Sequence, residues 1–132
     1  MKRAPTNTAK NDRLIYIVDD EPMLLELATV VLEPLGYNIK TFRDPETALE
    51  NFSRAQPQPA LIITDYAMHH MNGVELVQAC KKIQPKQKIL LLSGTADEQI
   101  YRDARFKPDG FLAKPYKAKQ LIQAVRGILT GA

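Results

Sequence analysis

Residues 61–65 read Leu61-Ile62-Ile63-Thr64-Asp65, an apolar run that stops on a carboxylate. Three more runs end on a polar group. Ile15-Tyr16-Ile17-Val18 stops on Asp19-Asp20, Ile89-Leu90-Leu91-Leu92 on Ser93, and Phe111-Leu112-Ala113 on Lys114. A fifth stretch, residues 37–42, alternates apolar and polar side chains and reads as an edge strand. If these are parallel strands of one sheet, their polar ends collect at one edge. That edge would hold three carboxylates, a hydroxyl and an ammonium. Open α/β sheets bind their ligands outside the carboxyl ends of the strands.

Between the runs lie helical patterns. Glu21-Pro22 opens the first, because proline is tolerated in the first turn and acids favour the positive end of the helix dipole. Leu24, Leu27, Ala28, Val31 and Leu32 recur there at helical spacing, and Pro34 and Gly36 end it. Asp44-Pro45 caps and starts a short helix to about Phe52, and residues 56–59 form a loop. Gly73 starts a third helix with Leu76, Val77, Cys80 and Ile83 on one side, ended by Pro85. A weakly amphipathic segment predicts a short fourth helix over 97–105. Lys114-Pro115 leads into a last helix that buries Leu121, Ile122, Val125, Ile128 and Leu129. Five strands and five helices alternate strictly, which implies βαβ units, a mainly parallel sheet and helices on both faces. Runs one, three and four are continuously apolar, as strands covered on both faces are.

The chain has 132 residues, 45% of them apolar and 25% charged, which fits one globular domain with a real core. No apolar stretch approaches the ~20 residues that span a bilayer, and the basic start lacks the apolar core of a secretory signal. Cys80 is the single cysteine, which excludes an internal disulfide and fits a reducing, cytoplasmic setting. The net charge of +3 conceals an asymmetry. Residues 14–80 carry 3 basic and 10 acidic side chains, and residues 81–132 carry 11 and 4. Residues 1–12 read as a flexible basic arm and 13–130 as the folded domain. The basic excess sits in that arm without interleaved aromatics, so the reading is no direct nucleic-acid contact and no membrane contact.

Asp19, Asp20 and Asp65 lie within a few ångströms of one another if strands one and three are neighbours. Three unpaired carboxylates repel, and one would be driven to protonate. A hard divalent cation removes that conflict. Magnesium takes oxygen ligands and often one or two carboxylates plus a phosphate oxygen. A carboxylate is also a covalent phosphoryl acceptor. Phosphoryl transfer asks mainly for positioning and charge neutralisation, which a cation, Lys114 and Ser93 could supply.

The ordered set resembles the receiver domain of two-component response regulators. It consists of Val18-Asp19-Asp20-Glu21-Pro22, Thr64-Asp65 followed by Met68, Met71 and Gly73, Leu92-Ser93-Gly94, and Phe111-Leu112-Ala113-Lys114-Pro115. It covers about residues 13–130. The resemblance implies a flavodoxin-like, doubly wound sheet of strand order 2-1-3-4-5. It implies Asp65 as phosphoacceptor, fed by a phosphohistidine on a sensor histidine kinase or histidine phosphotransfer protein. It implies Mg2+, with Mn2+ as the substitute, held by Asp19, Asp20, Asp65 and the backbone carbonyl of Ala67. Ser93 and Phe111 would be the switch pair and Lys114 the partner of the phosphoryl oxygens, with a cis bond before Pro115. The output surface would be the fourth helix, fifth strand and fifth helix, carrying Arg102, Arg105, Lys107, Lys117, Lys119 and Arg126 toward an acidic downstream protein.

Three features depart from the family pattern: His69-His70 after Met68, Asn72 before the loop glycine, and Ala104-Arg105-Phe106-Lys107-Pro108 before Asp109-Gly110. The histidines read as an exposed loop pair, with a transition-metal site or a phosphate contact as alternatives. Two rival functions stay open. A metal-dependent aspartyl-phosphate phosphatase usually needs a second acid two residues after the nucleophile, where this chain has Ala67. A pseudo-receiver that only binds is disfavoured by the intact Asp65, Ser93 and Lys114. The sequence leaves open a stand-alone receiver or one cut from a longer regulator or hybrid kinase.

Overall fold

The structure is a computed structural model that describes residues 13–94 and 98–130, with the backbone alone at Glu98. The proposed arm at 1–12 lies outside the described residues. The strands are β1 (Leu14–Val18), β2 (Asn38–Phe42), β3 (Leu61–Asp65), β4 (Ile89–Ser93) and β5 (Gly110–Ala113). The helices are α1 (Pro22–Leu32), α2 (Pro45–Arg54), α3 (Gly73–Ile83) and α4 (Ala118–Thr130). Single 3-10 turns follow at Glu33–Leu35 and Glu98–Tyr101. All pairings are parallel, as the alternation of strands and helices predicts, and the order is β2-β1-β3-β4-β5, as the resemblance implies.

The alternation of the strands sorts the core into two layers. On the α1–α4 side lie Ile15, Ile17, Leu61, Ile63, Leu90 and Leu92, with Leu25, Ala28, Leu32, Leu121 and Val125 from the helices. On the α2–α3 side lie Tyr16, Val18, Ile62 and Ile89, with Phe52, Leu76, Val77 and Cys80. Burial pushes the Cys80 thiol up to about 12, so it stays protonated. β2 is exposed along most of its length, as an edge strand should be.

Local chemistry fixes the element ends. Gly36, at φ 98°, terminates the first 3-10 turn in a conformation that glycine adopts without a β-carbon penalty. The Asp44 carboxylate accepts from the Thr47 N–H at 2.7 Å, which holds its pKa below the ordinary value. Asn72 and Glu75 form a reciprocal capping box at the start of α3.

Three expectations need correction. In α1 the buried line is Leu25, Ala28 and Leu32, while Leu27 is 54% exposed. In α3, Ile83 is exposed. The fourth predicted helix is absent as an α-helix. One 3-10 turn and an irregular segment take its place, so there are four α-helices among the described residues. That segment is pinned from outside. Gln78 of α3 donates to the Phe106 carbonyl at 2.7 Å and accepts from its N–H at 2.9 Å. Lys107 donates to the carbonyls of Arg102 and Ala104. Further on, Asp109 accepts from the Lys81 ammonium and the Ile89 N–H, each at 2.8 Å.

A β-carbon at Gly73 would collide with the Asp65 carbonyl and lie 2.9 Å from the Tyr66 Cα. One at Gly127 meets nothing within 4 Å. Gly73→Ala is expected to destabilise by about 1–3 kcal/mol, the scale of overpacking. Gly127→Ala is expected to stabilise by about 1 kcal/mol through helix propensity. Urea denaturation checks both signs, and equal effects would contradict this account of Gly73.

Candidate functional site

The four polar strand ends converge. The register pairs Val18 with Thr64, Asp65 with Leu92, and Ser93 with Ala113. The chain therefore leaves β1, β3, β4 and β5 at nearly one level. Hydrogen bonds extend the ladder past the strands, from the Tyr66 N–H to the Leu92 carbonyl and from the Lys114 N–H to the Ser93 carbonyl, both 2.8 Å. Lys114 and Asp65 face each other across this edge, with the ammonium 2.8 Å from Asp65 Oδ1 and 3.7 Å from Asp19 Oδ2. The Lys114–Pro115 bond is cis, and so is Gln56–Pro57.

One oxygen from each of Asp19, Asp20 and Asp65 lies within 4.8 Å of the others. Asp19 and Asp65 are buried, and Asp20 is the most open of the three. Burial pushes the Asp19 carboxyl above the usual carboxylate range. The Glu21 N–H, donating at 2.9 Å, and Lys114 pull it down, while the charges of Asp65 and Asp20 add to the rise. Burial pulls the Lys114 ammonium down, but its hydrogen bond and charge contact with Asp65, backed by Asp19, reverse this, and its pKa is raised. One ammonium thus faces three acids. The donor set is all hard oxygen, partly desolvated and short of positive charge, which suits a small divalent cation.

The other predicted residues have defined places. Ser93 is buried at the end of β4, one step beyond the level of Asp65. Phe111 is half-buried, its ring centroid 6.0 Å from that of Tyr101. Ala67 is exposed in the loop after Asp65. Two neighbours complete the site, His69, which the sequence reads as half of an exposed loop pair, and Tyr116, which sequence reasoning passed over. His69 Nδ1 sits 2.9 Å from Asp20 Oδ2. Tyr116 is half-buried beside the lysine, its phenol raised by burial, lowered in part by Lys114 and raised further by Asp19 and Asp65. It lines an apolar groove with Leu24, Leu27, Val31, Pro115 and the stem of Lys114.

Comparison with known proteins agrees with this geometry. The family model described as "Response regulator receiver domain" matches residues 15–126. The response regulator receiver protein CpdR of Brucella abortus is 28% identical over 120 residues, covering 89% of this chain and 98% of that protein. The DNA-binding response regulator MtrA of Mycolicibacterium smegmatis is 27% identical over 115 residues, 87% of this chain, but only 50% of its own length is covered. A solved response regulator receiver domain protein from Clostridium thermocellum superposes with a TM-score of 0.82 at 25% identity, over 90% of this chain and 95% of that one.

Because folding raises the Asp19 pKa, the folded protein holds that proton more tightly than the unfolded chain does. The ionised carboxylate therefore costs stability. That cost is absent below the unfolded value near 3.9 and grows as pH rises through the raised folded value. In chelator at neutral pH, Asp19→Asn should raise Tm by a few degrees, about 1 kcal/mol for a domain of this size. It should also flatten the loss of stability with rising pH. Lys114→Met should act in the opposite sense, lowering stability by about 1–3 kcal/mol because buried acids are left without their partner. A fall in Tm for Asp19→Asn would mean that the cluster is not short of positive charge.

Proposed function

The chain belongs to the response regulator receiver domain family, and on that premise we propose that it is a phosphoacceptor switch in which Asp65 is the residue modified. The observation that carries this is the 2.8 Å contact between Lys114 and Asp65 beside two further carboxylates. The phosphodonor is a phosphohistidine. An Asp65 oxygen bonds to phosphorus, the phosphorus–nitrogen bond breaks, and the freed imidazole takes its proton from solvent. The product is an acyl phosphate. Lys114 is within reach of the oxygens of any group bonded to Asp65 and offsets their charge. Asp19, Asp20, Asp65 and the Ala67 carbonyl are the residues to hold Mg2+ or Mn2+. When bound, that cation neutralises charge on the acceptor and phosphoryl oxygens.

Ser93 is the hydroxyl that turns toward the phosphoryl group, and Phe111 is the aromatic that moves with it. Such a switch shifts an equilibrium between two states that both exist before modification. The reading is of a protein that is modified and relaxes, not a turnover enzyme. Ala67 supplies no acid to protonate a leaving group, which weighs against the phosphatase alternative. Lys114 in contact with Asp65 weighs against a binding-only pseudo-receiver. A cytoplasmic setting fits a phosphohistidine donor, and no helix among the described residues is long and apolar enough to cross a membrane.

Two surfaces fit two partners. The donor histidine must reach Asp65, so its carrier must cover the rim of the site. Lys114 helps to line the groove, and Leu27 in the same lining continues with Met23 and Val30 as an exposed apolar line on α1. This suits the apolar flank of a histidine kinase or phosphotransfer protein. The second surface is basic. Arg102, Arg105, Lys107, Lys117, Lys119 and Arg126 are all exposed, which favours a downstream protein with an acidic face.

With acetyl phosphate and Mg2+, mass spectrometry should show one labile phosphate on the wild type and none at that position in Asp65→Asn. An unmodified wild type, or sustained hydrolysis of phosphate monoesters, would defeat the reading. Leu27→Asp should slow transfer from a phosphohistidine donor by about 10-fold or more, the scale of removing one apolar side chain from a buried interface. It should leave labelling by acetyl phosphate unchanged. An equal fall in both assays would place the damage in the site and not in docking.

A further inference from the structure

The loop after Asp65 holds an interaction that the phosphoryl chemistry leaves unused. The His69 ring is 86% exposed, yet its Nδ1 lies 2.9 Å from Oδ2 of Asp20. The backbone is shaped to bring it there. The Met71 N–H donates to the His69 carbonyl at 2.8 Å, closing a three-residue turn around His70, whose φ is 72°. A γ-turn with its central residue at positive φ is the rare, strained form. Histidine carries a β-carbon, so the conformation is disfavoured unless the surroundings hold it. They do hold it. The Gly73 N–H donates to the Tyr66 carbonyl at 2.8 Å, which pinches the loop shut, and the Asn72–Glu75 capping box locks its far end.

The three acids differ in how they are held. Asp19 accepts from the Glu21 N–H and faces Lys114, and Asp65 is bound by Lys114. Asp20 has neither of these. Its side chain is 25% exposed, and among the described residues its one hydrogen-bond partner is His69. Without that partner the carboxylate can turn in water, and a ligand that must first be ordered binds its ion less tightly. Residues that hydrogen-bond to metal ligands typically change metal affinity by ~10–100-fold.

We propose that His69 is a positioning residue for the cation site, donating from Nδ1 to Asp20 Oδ2 and fixing that carboxylate for the ion. It acts through Asp20 and does not bind the ion itself. The compact group of ligand atoms among the described residues consists of three carboxylates and includes no imidazole nitrogen. The inference rests on reading Asp19, Asp20 and Asp65 as the cation site, and its test keeps the two apart.

The test is Mg2+ titration of the full chain, followed by backbone amide shifts, in the wild type, His69→Ala and His69→Asn. The asparagine amide places a donor near the position of Nδ1. His69→Ala should weaken Mg2+ binding by about 5–10-fold, toward the lower end of the range for such partners because the ring is exposed. His69→Asn should recover to within about twofold of the wild type. An alanine variant that binds as tightly as the wild type overturns the proposal, and so does an asparagine variant as weak as alanine. With Mn2+, pulsed electron paramagnetic resonance should show no directly bound imidazole nitrogen, and finding one would make His69 a ligand instead. A wild type that binds no Mg2+ would remove the cation site itself, a different failure.

Discussion

Three carboxylates and one ammonium meet at the same edge of one sheet, and most of the architecture bears on that imbalance. Two of the acids are buried, so their charges are poorly screened by water. Lys114 compensates in part, and its pKa is raised because the pull of Asp65 and Asp19 outweighs the opposing effect of burial. The remaining deficit is one that a small divalent cation would offset. A neutral edge could hold the same fold with less internal conflict. The core on both faces of the sheet has to offset the cost of keeping such an edge together.

The sheet was legible in the sequence because buried parallel strands leave a signal that is hard to mistake. Continuous apolar runs ending in Asp19-Asp20, Asp65, Ser93 and Lys114 marked both the strands and the residues that converge. The helices were less legible, for a physical reason. In α1, apolar side chains occupy positions 23, 24, 25, 27, 28, 30, 31 and 32, so they surround much of the cylinder. Periodicity cannot choose a face there. Packing chose the line of Leu25, Ala28 and Leu32 and left Leu27 outside. The pairings of His69 with Asp20, Lys81 with Asp109 and Gln78 with Phe106 join residues 28 to 49 positions apart, which no local pattern reports. The capping box at Asn72 was different. Its spacing of Asn72 and Glu75 is a local signal, legible three residues apart in the sequence.

The charge asymmetry along the chain becomes a spatial one. The acidic first half supplies β1 to α3, and with them all three carboxylates of the site. The basic second half supplies β4 to α4, and with them the lysine. Lys114 is thus the point where the positive half reaches into the negative half. The same division leaves α1 with one glutamate, bare apolar side chains and no basic ones, while the residues around β5 and α4 carry exposed arginines and lysines. A protein suited to one of these surfaces is poorly suited to the other.

The segment between β4 and β5 shows how the second surface is tied to the first. A regular helix would cover this flank of the sheet with its own hydrogen bonds. Here one 3-10 turn is followed by backbone whose polar groups are satisfied by side chains, Gln78 for Phe106 and Lys107 for two carbonyls. Every residue of β5 is left only partly covered. Tyr101 rests beside Phe111 on that strand, and two residues beyond Phe111 the strand ends, giving way to Lys114. A rearrangement at the acidic edge therefore has few atoms to cross before it reaches the outer face. Among its described residues that segment is tied by the side chains of Gln78 and Lys107, and stretches outside packed helices open at lower free energy than a packed helix does.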